Sequence, residues 1–196
     1  MARLSFRPVT AAEWKDLAAL FGTNGACGGC WCMWWRLTRS RFNEQKGAGN
    51  RRALKRLVDA GDVPGILAYD GDRPVGWCSV GPRDGFPALD RSRVLGRVDS
   101  QQAWSIVCFF VAKDCRRRGI TEKLIKAAVS CARRKGAAIV EAYPVSPGAN
   151  GMPDVWAYTG FESAFARAGF TEAARRSPRR AVWRLTLPRG RQAARS

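Results

Sequence analysis

Three consecutive arginines, Arg116, Arg117 and Arg118, precede Gly119 between a strongly apolar segment and an amphipathic one. The apolar segment predicts a buried β-strand, and the spacing after Gly119 predicts a helix that begins there. The first amides of a helix have no intrahelical acceptor, and they carry the positive end of the helix dipole. The segment therefore predicts an anion-binding site. A Walker P-loop and a dinucleotide fingerprint do not fit this glycine pattern, and an ordinary turn with solvated arginines is the alternative.

The composition excludes several chemistries. The 196 residues include no His, which removes Ser-His-Asp and Cys-His catalysis and His-ligated zinc. Lys and Arg number 34 against 16 Asp and Glu, and the resulting net charge of +18 attracts nucleic acid, anionic lipid or a polyphosphate ligand. The basic residues are scattered over several segments instead of lining one groove, so nucleic-acid association is the less favoured function.

The rest of the chain alternates between strand-like and helix-like segments. Residues 70–72, Asp-Gly-Asp, predict a hairpin turn between two of the strands. We expect a single domain over residues 1–187, a basic, disordered tail over 188–196, and no secretory or membrane-spanning segment. The predicted strands cover residues 3–9, 64–69, 74–80, 104–112, 137–145, 170–175 and 180–187, and the predicted helices follow Thr10, cover 45–60, run from Gly119 to Gly136 and cover 161–168.

The segment VAKDCRRRGITEKLI resembles motif A of the GNAT superfamily of acyl-CoA-dependent N-acetyltransferases, whose pattern is Arg/Gln-x-x-Gly-x-Gly/Ala. Arg116, Gly119 and Thr121 occupy the three defining positions, although Thr121 replaces the usual small residue. The order of the predicted elements is also similar to that of the superfamily. The resemblance implies an α/β fold with a mixed, mostly antiparallel central sheet, a splayed parallel strand pair and flanking helices.

The resemblance further implies that the chain binds acetyl-CoA as acyl donor. The pyrophosphate would lie on the amides of the arginine loop, and the pantetheine would run along the preceding strand. An amine would attack the thioester directly, with a strand amide such as that of Phe110 or Val111 stabilising the oxyanion. The residues implied to contact acetyl-CoA are Phe109, Phe110, Val111, Arg116, Arg117, Arg118, Gly119, Ile120 and Thr121.

The catalytic acid and base are the roles in which the chain departs from the family pattern. Phe165 stands where many members carry the tyrosine that protonates the departing thiolate. Tyr158 is our candidate acid, and a packed loop aromatic is its alternative interpretation. Glu141 is the candidate base; it shares a strand face with Tyr143, and a structural ion pair with an arginine is its alternative. A water relay is the third possibility for these proton transfers.

A cluster of cysteines and tryptophans follows the first predicted helix. A structural zinc site needs four ligands in paired spacing, and Cys27, Cys30 and Cys32 have no second pair, so we expect no metal. A redox pair lacks its usual strand–helix context. In the implied fold this segment overhangs the acceptor end of the slot, so Trp31, Trp34 and Trp35 are candidates for an amine pocket that uses cation–π contacts. A tryptophan-rich minor core is the alternative.

The sequence thus predicts a cytoplasmic bacterial N-acetyltransferase, monomeric or homodimeric, that transfers the acetyl group of acetyl-CoA to a primary amine in a ternary complex. The thiols are expected to be reduced, as in cytosolic proteins. A protein- or peptide-modifying acetyltransferase and a nucleic-acid- or ribosome-associated protein are the alternatives.

Overall fold

A computed structural model describes residues 4–147 and 156–188 of the chain. Seven strands form one sheet in the order β1-β2-β3-β4-β5-β7-β6. The β4–β5 pair is parallel and the other neighbouring pairs are antiparallel, which confirms the predicted sheet. The strands are β1 (Ser5–Pro8), β2 (Gly65–Asp70), β3 (Arg73–Pro82), β4 (Trp104–Val111), β5 (Ile139–Ala142), β6 (Thr171–Ser177) and β7 (Arg180–Thr186).

Six α-helices flank the sheet in the described residues, and two of them differ from the sequence prediction. Six-residue α2 was not predicted, because it buries a single apolar side chain, Phe42. Four-residue α4 lies in the long connection between β3 and β4, after a short 3₁₀ turn at Arg83–Gly85. The helices are α1 (Trp14–Phe21), α2 (Arg39–Glu44), α3 (Ala48–Asp59), α4 (Pro87–Asp90), α5 (Ile120–Arg134) and α6 (Glu162–Arg167).

Each face of the sheet has its own apolar core. Helices α5 and α6 cover one face, where Leu124 and Ile125 pack in a cluster with Ile106 of β4. Gly76 of β3 allows α5 to lie close, since a Cβ there would come within 3.0 Å of the Ile120 side chain. Helices α1 and α3 cover the other face, where the cluster includes buried Trp77. Together the two cores hold β3 and β4 at the centre of the sheet.

Strand β4 carries a β-bulge. Ser79 pairs with Cys108 and Val80 pairs with Ile106, so Val107 is an extra residue on β4. A bulge bends its strand and increases the local twist. The bulge therefore lies where β4 must turn away from β5.

The parallel pair β4–β5 is short. Its register covers Trp104 with Val140, Ser105 with Glu141, and Ile106 with Ala142. Strand β5 ends at Ala142, three residues short of the predicted end, and Pro144 cannot donate a ladder hydrogen bond. Beyond Ile106 the described part of β4 has no partner in β5, and a slot opens beside residues 107–111.

A buried polar network lies at the closed end of this slot. The Glu141 carboxylate is 1% exposed and contacts Arg83 at 3.3 Å and Arg184 at 2.8 Å. The Tyr143 hydroxyl donates to Glu141 at 2.8 Å and lies 2.8 Å from the hydroxyl of Ser105 on β4. Burial is the main cause that raises the pKa of Tyr143 well above its usual range. The network connects β4, β5, β7 and the connection after β3.

Two further expectations concern the chain ends and membranes. Most of the predicted basic tail, from residue 189 onward, lies outside the described residues. Among the helices of residues 4–147 and 156–188, none is long and apolar enough to cross a membrane.

We predict that Glu141→Gln lowers the free energy of unfolding by about 3–5 kcal/mol, because it leaves two arginines without their buried counter-charge. Urea unfolding measures this change. Glu172→Gln is the matched control: Glu172 pairs with Arg175 at a more exposed position, where an ion pair contributes about 0–1 kcal/mol. Equal losses in the two variants would contradict the role assigned to the network.

Candidate active site

The loop between β4 and α5 forms a backbone nest. Arg116 is extended with φ −66° and ψ 163°, and Arg117 and Gly119 have positive φ values of 61° and 71°. Turns that contain left-handed residues of this kind form nests of backbone amides that bind anions. A side chain would strain the left-handed backbone at Gly119, and a Cβ there would meet nothing within 4 Å. The space above the nest is therefore open.

Helix α5 continues the row of amides. Its first intrahelical bond runs from Lys123 N–H to the Gly119 carbonyl at 3.3 Å, and no side chain caps the helix. The amides of Ile120 and Thr121 precede that bond, as the first amides of a helix do. The Ile120 side chain is buried beneath the sheet, so its backbone is the part available to a ligand. The predicted anion site is a continuous turn of backbone donors with the dipole of a 15-residue helix behind it.

The arginine side chains surround this turn on its exposed side. Arg116 donates from Nε to the Val111 carbonyl at 3.3 Å, and Arg118 contacts Asp70 at 3.4 Å. Arg117 is exposed. Cys115 is buried directly below and accepts a weak bond from Arg118 at 3.6 Å. The loop is thus anchored by the buried Cys115, while its three arginine residues are exposed.

Strand β4 presents alternate amides to the slot. The Phe109 N–H points away from β3, because it donates to the Tyr158 carbonyl at 2.6 Å. Amide directions alternate along a strand, so the Phe110 N–H points toward its partner Trp77 in β3, and the Val111 N–H points into the slot. Of the two amides predicted to stabilise an oxyanion, Val111 is therefore on the correct side and Phe110 is not.

Tyr158 lies against the slot, held by its own backbone bond to Phe109. Its ring is 6.5 Å from the Trp35 ring, and the Arg180 guanidinium lies 5.9 Å from it on the other side. Burial raises the pKa of Tyr158 to about 12, and the Arg180 cation partly opposes that rise. The phenol is therefore protonated at neutral pH. Arg180, which the sequence analysis did not select, also donates to Thr159 at 3.2 Å.

The three candidate tryptophans are in different environments. Trp31 is 4% exposed and packs 6.0 Å from the ring of Trp14 and 5.4 Å from that of Phe21, which is the arrangement of the alternative minor core. Trp34 packs at its edge, with Arg39 over its ring at 3.9 Å. The indole N–H of Trp35 donates to the Val107 carbonyl at 3.1 Å. Of the three, Trp35 reaches the slot, whereas Trp31 lies in the apolar core on the α1–α3 face of the sheet.

All seven cysteines are free thiols. Cys32 accepts a hydrogen bond from the Trp77 indole at 3.0 Å, and its sulfur lies 3.4 Å from that of Cys108. The hydrogen bond with Cys32 and burial raise the pKa of Cys108, and burial raises the pKa of Cys30 to about 12. Protonated thiols are poor nucleophiles and poor metal ligands. Within residues 4–147 and 156–188, no group of three or more cysteine or acidic side chains is arranged to hold a metal ion.

Glu141 does not lie in the slot as a free base. Both of its carboxylate oxygens are occupied by arginines, and its side chain is buried at the closed end of the β4–β5 pair. The structural ion pair, which was the alternative interpretation, describes this geometry. Phe165 is likewise fully buried, between Phe109 and Phe170.

Comparison with known proteins identifies the family of the chain. The sequence model of the acetyltransferase (GNAT) family matches residues 31–152. Because this match covers more than half of the chain, the chain belongs to the GNAT acetyltransferase family, and it is a transferase. No curated protein matches the sequence significantly.

Solved structures show the same fold at low sequence identity. An N-acetyltransferase from Staphylococcus aureus Mu50 is 12% identical with a TM-score of 0.56, covering 95% of this chain and 100% of that one. A ribosomal-protein-alanine N-acetyltransferase from Brucella melitensis is 18% identical with a TM-score of 0.53, covering 93% and 99%. The PaiA N-acetyltransferase from Thermoplasma acidophilum, in complex with coenzyme A, is 9% identical with a TM-score of 0.53, covering 94% and 99%.

Proposed function

We propose that the chain transfers the acetyl group of acetyl-CoA to a primary amine in the cytoplasm, by direct attack within a ternary complex. The observation that carries this proposal is the arrangement of the β4 slot, which leads directly into the nest at Gly119 and the uncapped start of α5. A ligand with a pyrophosphate at one end and an amide-containing arm at the other fits this order of donors. The coenzyme A complex of the Thermoplasma acidophilum protein supports the choice of donor.

The pyrophosphate would accept hydrogen bonds from the amides of residues 117–121, with the arginine side chains adding positive charge. The pantetheine would run beside residues 109–111. Because the Phe109 N–H already donates to Tyr158, the Val111 N–H is the strand donor that remains for the pantetheine or thioester oxygen. A fixed amide aimed at the developing oxyanion is the principal electrostatic contribution that this slot would make.

The amine nitrogen would attack the thioester carbon, and the carbon–sulfur bond would then break to release the CoA thiolate. Tyr158 would give that thiolate its proton, since its phenol is protonated and its backbone carbonyl is bonded to Phe109 beside the slot. Water would take the proton of the amine, because the carboxylate of Glu141 is engaged by arginines. The ring of Trp35 would line the path by which the acceptor amine reaches the thioester.

The acceptor would be identified by measuring thiol release from acetyl-CoA with a panel of small amines and peptide N-termini.

We predict that Gly119→Asp weakens acetyl-CoA binding by at least tenfold, because it places a negative charge at the pyrophosphate position. Isothermal titration calorimetry measures the dissociation constant. Gly119→Asn has the same shape and tolerates the left-handed backbone, so it separates the effect of charge from that of bulk.

Gly136→Asp is the matched control for this prediction. Gly136 lies just beyond the other end of α5 and has a positive φ of 83°, and a Cβ at this position would also meet nothing within 4 Å. We expect Gly136→Asp to bind acetyl-CoA like the wild type. Failure of the wild-type chain to bind acetyl-CoA would overturn the proposed function.

Tyr158→Phe is predicted to lower turnover by about tenfold or more, since positioned general acids contribute roughly 10²–10⁴-fold. The affinity for acetyl-CoA should change little, because the backbone bond to Phe109 does not need the hydroxyl. Tyr69→Phe removes a phenol that donates to Asp16 at 2.8 Å, away from the slot, and serves as the control. If Tyr158→Phe turns over as fast as the wild type, solvent is the proton source.

A further inference from the structure

A second pocket lies on the α1–α3 side of the sheet. It is formed by the loop after α1, by α2 and α3, and by the turn that follows β3, and its volume is about 400 Å³. Pockets for small molecules start at about 300 Å³. Its apolar wall includes Met33 and Leu57, and its polar lining includes Arg36, Arg41, Arg56 and Asp62. The pocket is therefore large enough for a small organic molecule and is lined by three cations and one carboxylate.

Two of these cations, Arg41 and Arg56, differ from several arginines of the fold whose side chains have a carboxylate partner. Arg73, Arg97 and Arg184 each form ion pairs with carboxylates. In the described part of the chain, the guanidinium group of neither Arg41 nor Arg56 forms an ion pair or a hydrogen bond, although both line the same pocket. Both residues are exposed, so their guanidinium groups are available to an anionic ligand.

Arg36 adds a partly buried cation to the same wall. Its Nε is buried and has no acceptor within the described residues. Its other nitrogens reach only carbonyl oxygens, that of Gly85 at 3.3 Å and that of Pro64 at 3.5 Å, and its guanidinium lies 4.3 Å from the centre of the Phe86 ring. Burial lowers the pKa of Arg36 to about 10. The Asp62 carboxylate, which lines the same pocket, partly opposes that fall, and within the described residues Arg36 forms no direct ion pair.

This pocket is separate from the acetyl-CoA slot. The turn at Gly85 follows β3 at Pro82, which pairs with Trp104 at the start of β4. The arginine nest follows the other end of β4, after Val111. The two anion-attracting features therefore lie at opposite ends of one strand.

We propose that the pocket of Arg36, Arg41 and Arg56 binds the oxyanion group, carboxylate or phosphate, of a small organic molecule whose apolar part lies on Met33 and Leu57. Guanidinium groups hold such planar or tetrahedral oxyanions through paired hydrogen bonds. The carboxylate of Asp62 offsets one of the three arginine charges, so the pocket lining carries a net charge of +2. This small excess of positive charge disfavours a polyanion as the ligand. The anion can belong to the acetyl acceptor or to a separate ligand, and the site itself does not depend on the proposed acyl transfer.

The test uses phenyl phosphate and benzoate as probes in calorimetric titrations of the full chain. Arg56→Met should weaken binding of at least one probe by about tenfold, because it removes one charge-assisted donor. Arg52→Met is the matched control: Arg52 is exposed on the same helix, one turn earlier, and does not line the pocket. Equal weakening in the two variants, or no saturable binding to the wild type, would overturn the proposal.

The Gly119→Asp variant shows whether the probes bind in the second pocket or at the arginine nest of the acetyl-CoA slot. Both probes should bind this variant as they bind the wild type; loss of binding would place them at the arginine nest and overturn the assignment. A probe that binds the wild type when acetyl-CoA does not would support this pocket even if the proposed function fails. Once an acceptor is known, a raised KM in Arg56→Met with unchanged kcat assigns the anion to the acceptor, and an unchanged KM assigns it to a separate ligand.

Discussion

Strands β4 and β5 are held together at one end and kept apart at the other, and the candidate site depends on this constraint. Three residue pairs join the strands, and the carboxylate of Glu141 connects that short ladder to arginines on two other segments. The extra residue Val107 bends β4, and Pro144 follows the end of β5. Each member of a buried ion-pair network of this kind is costly to leave unpaired, so the network holds the closed end of the pair together.

At the open end of the β4–β5 pair, the backbone donors that line the slot follow a fixed order. Along β4 the backbone donors pass from the Val111 amide to the nest at Arg117 and Gly119, and then to the first turn of α5. These donors are fixed by the fold before a ligand arrives, and preorganised donors need no reorganisation during reaction. The proposed acyl transfer therefore relies on position and backbone electrostatics, with Tyr158 as the proposed proton donor, and it needs no histidine.

The sequence was sufficient for the sheet, the hairpin at Gly71 and the helix start at Gly119, because periodicity and glycine placement determine these features locally. It was insufficient for the bulge at Val107 and for the Phe109–Tyr158 bond, which depend on packing between distant segments. Glu141 was selected because it is a carboxylate near the expected site, and sequence does not show that two arginines occupy it. The unpaired arginines of the second pocket were invisible for the same reason, since pairing is a tertiary property.

The most direct test of the account is amide hydrogen exchange of the full chain with and without coenzyme A. The account predicts that coenzyme A slows exchange at Val111 and at residues 119–121, because those amides would acquire acceptors on the ligand. The Phe109 amide should be protected in both states, since it donates to Tyr158. Unchanged exchange at Val111 and at the start of α5 under saturating coenzyme A would contradict the assignment of the slot.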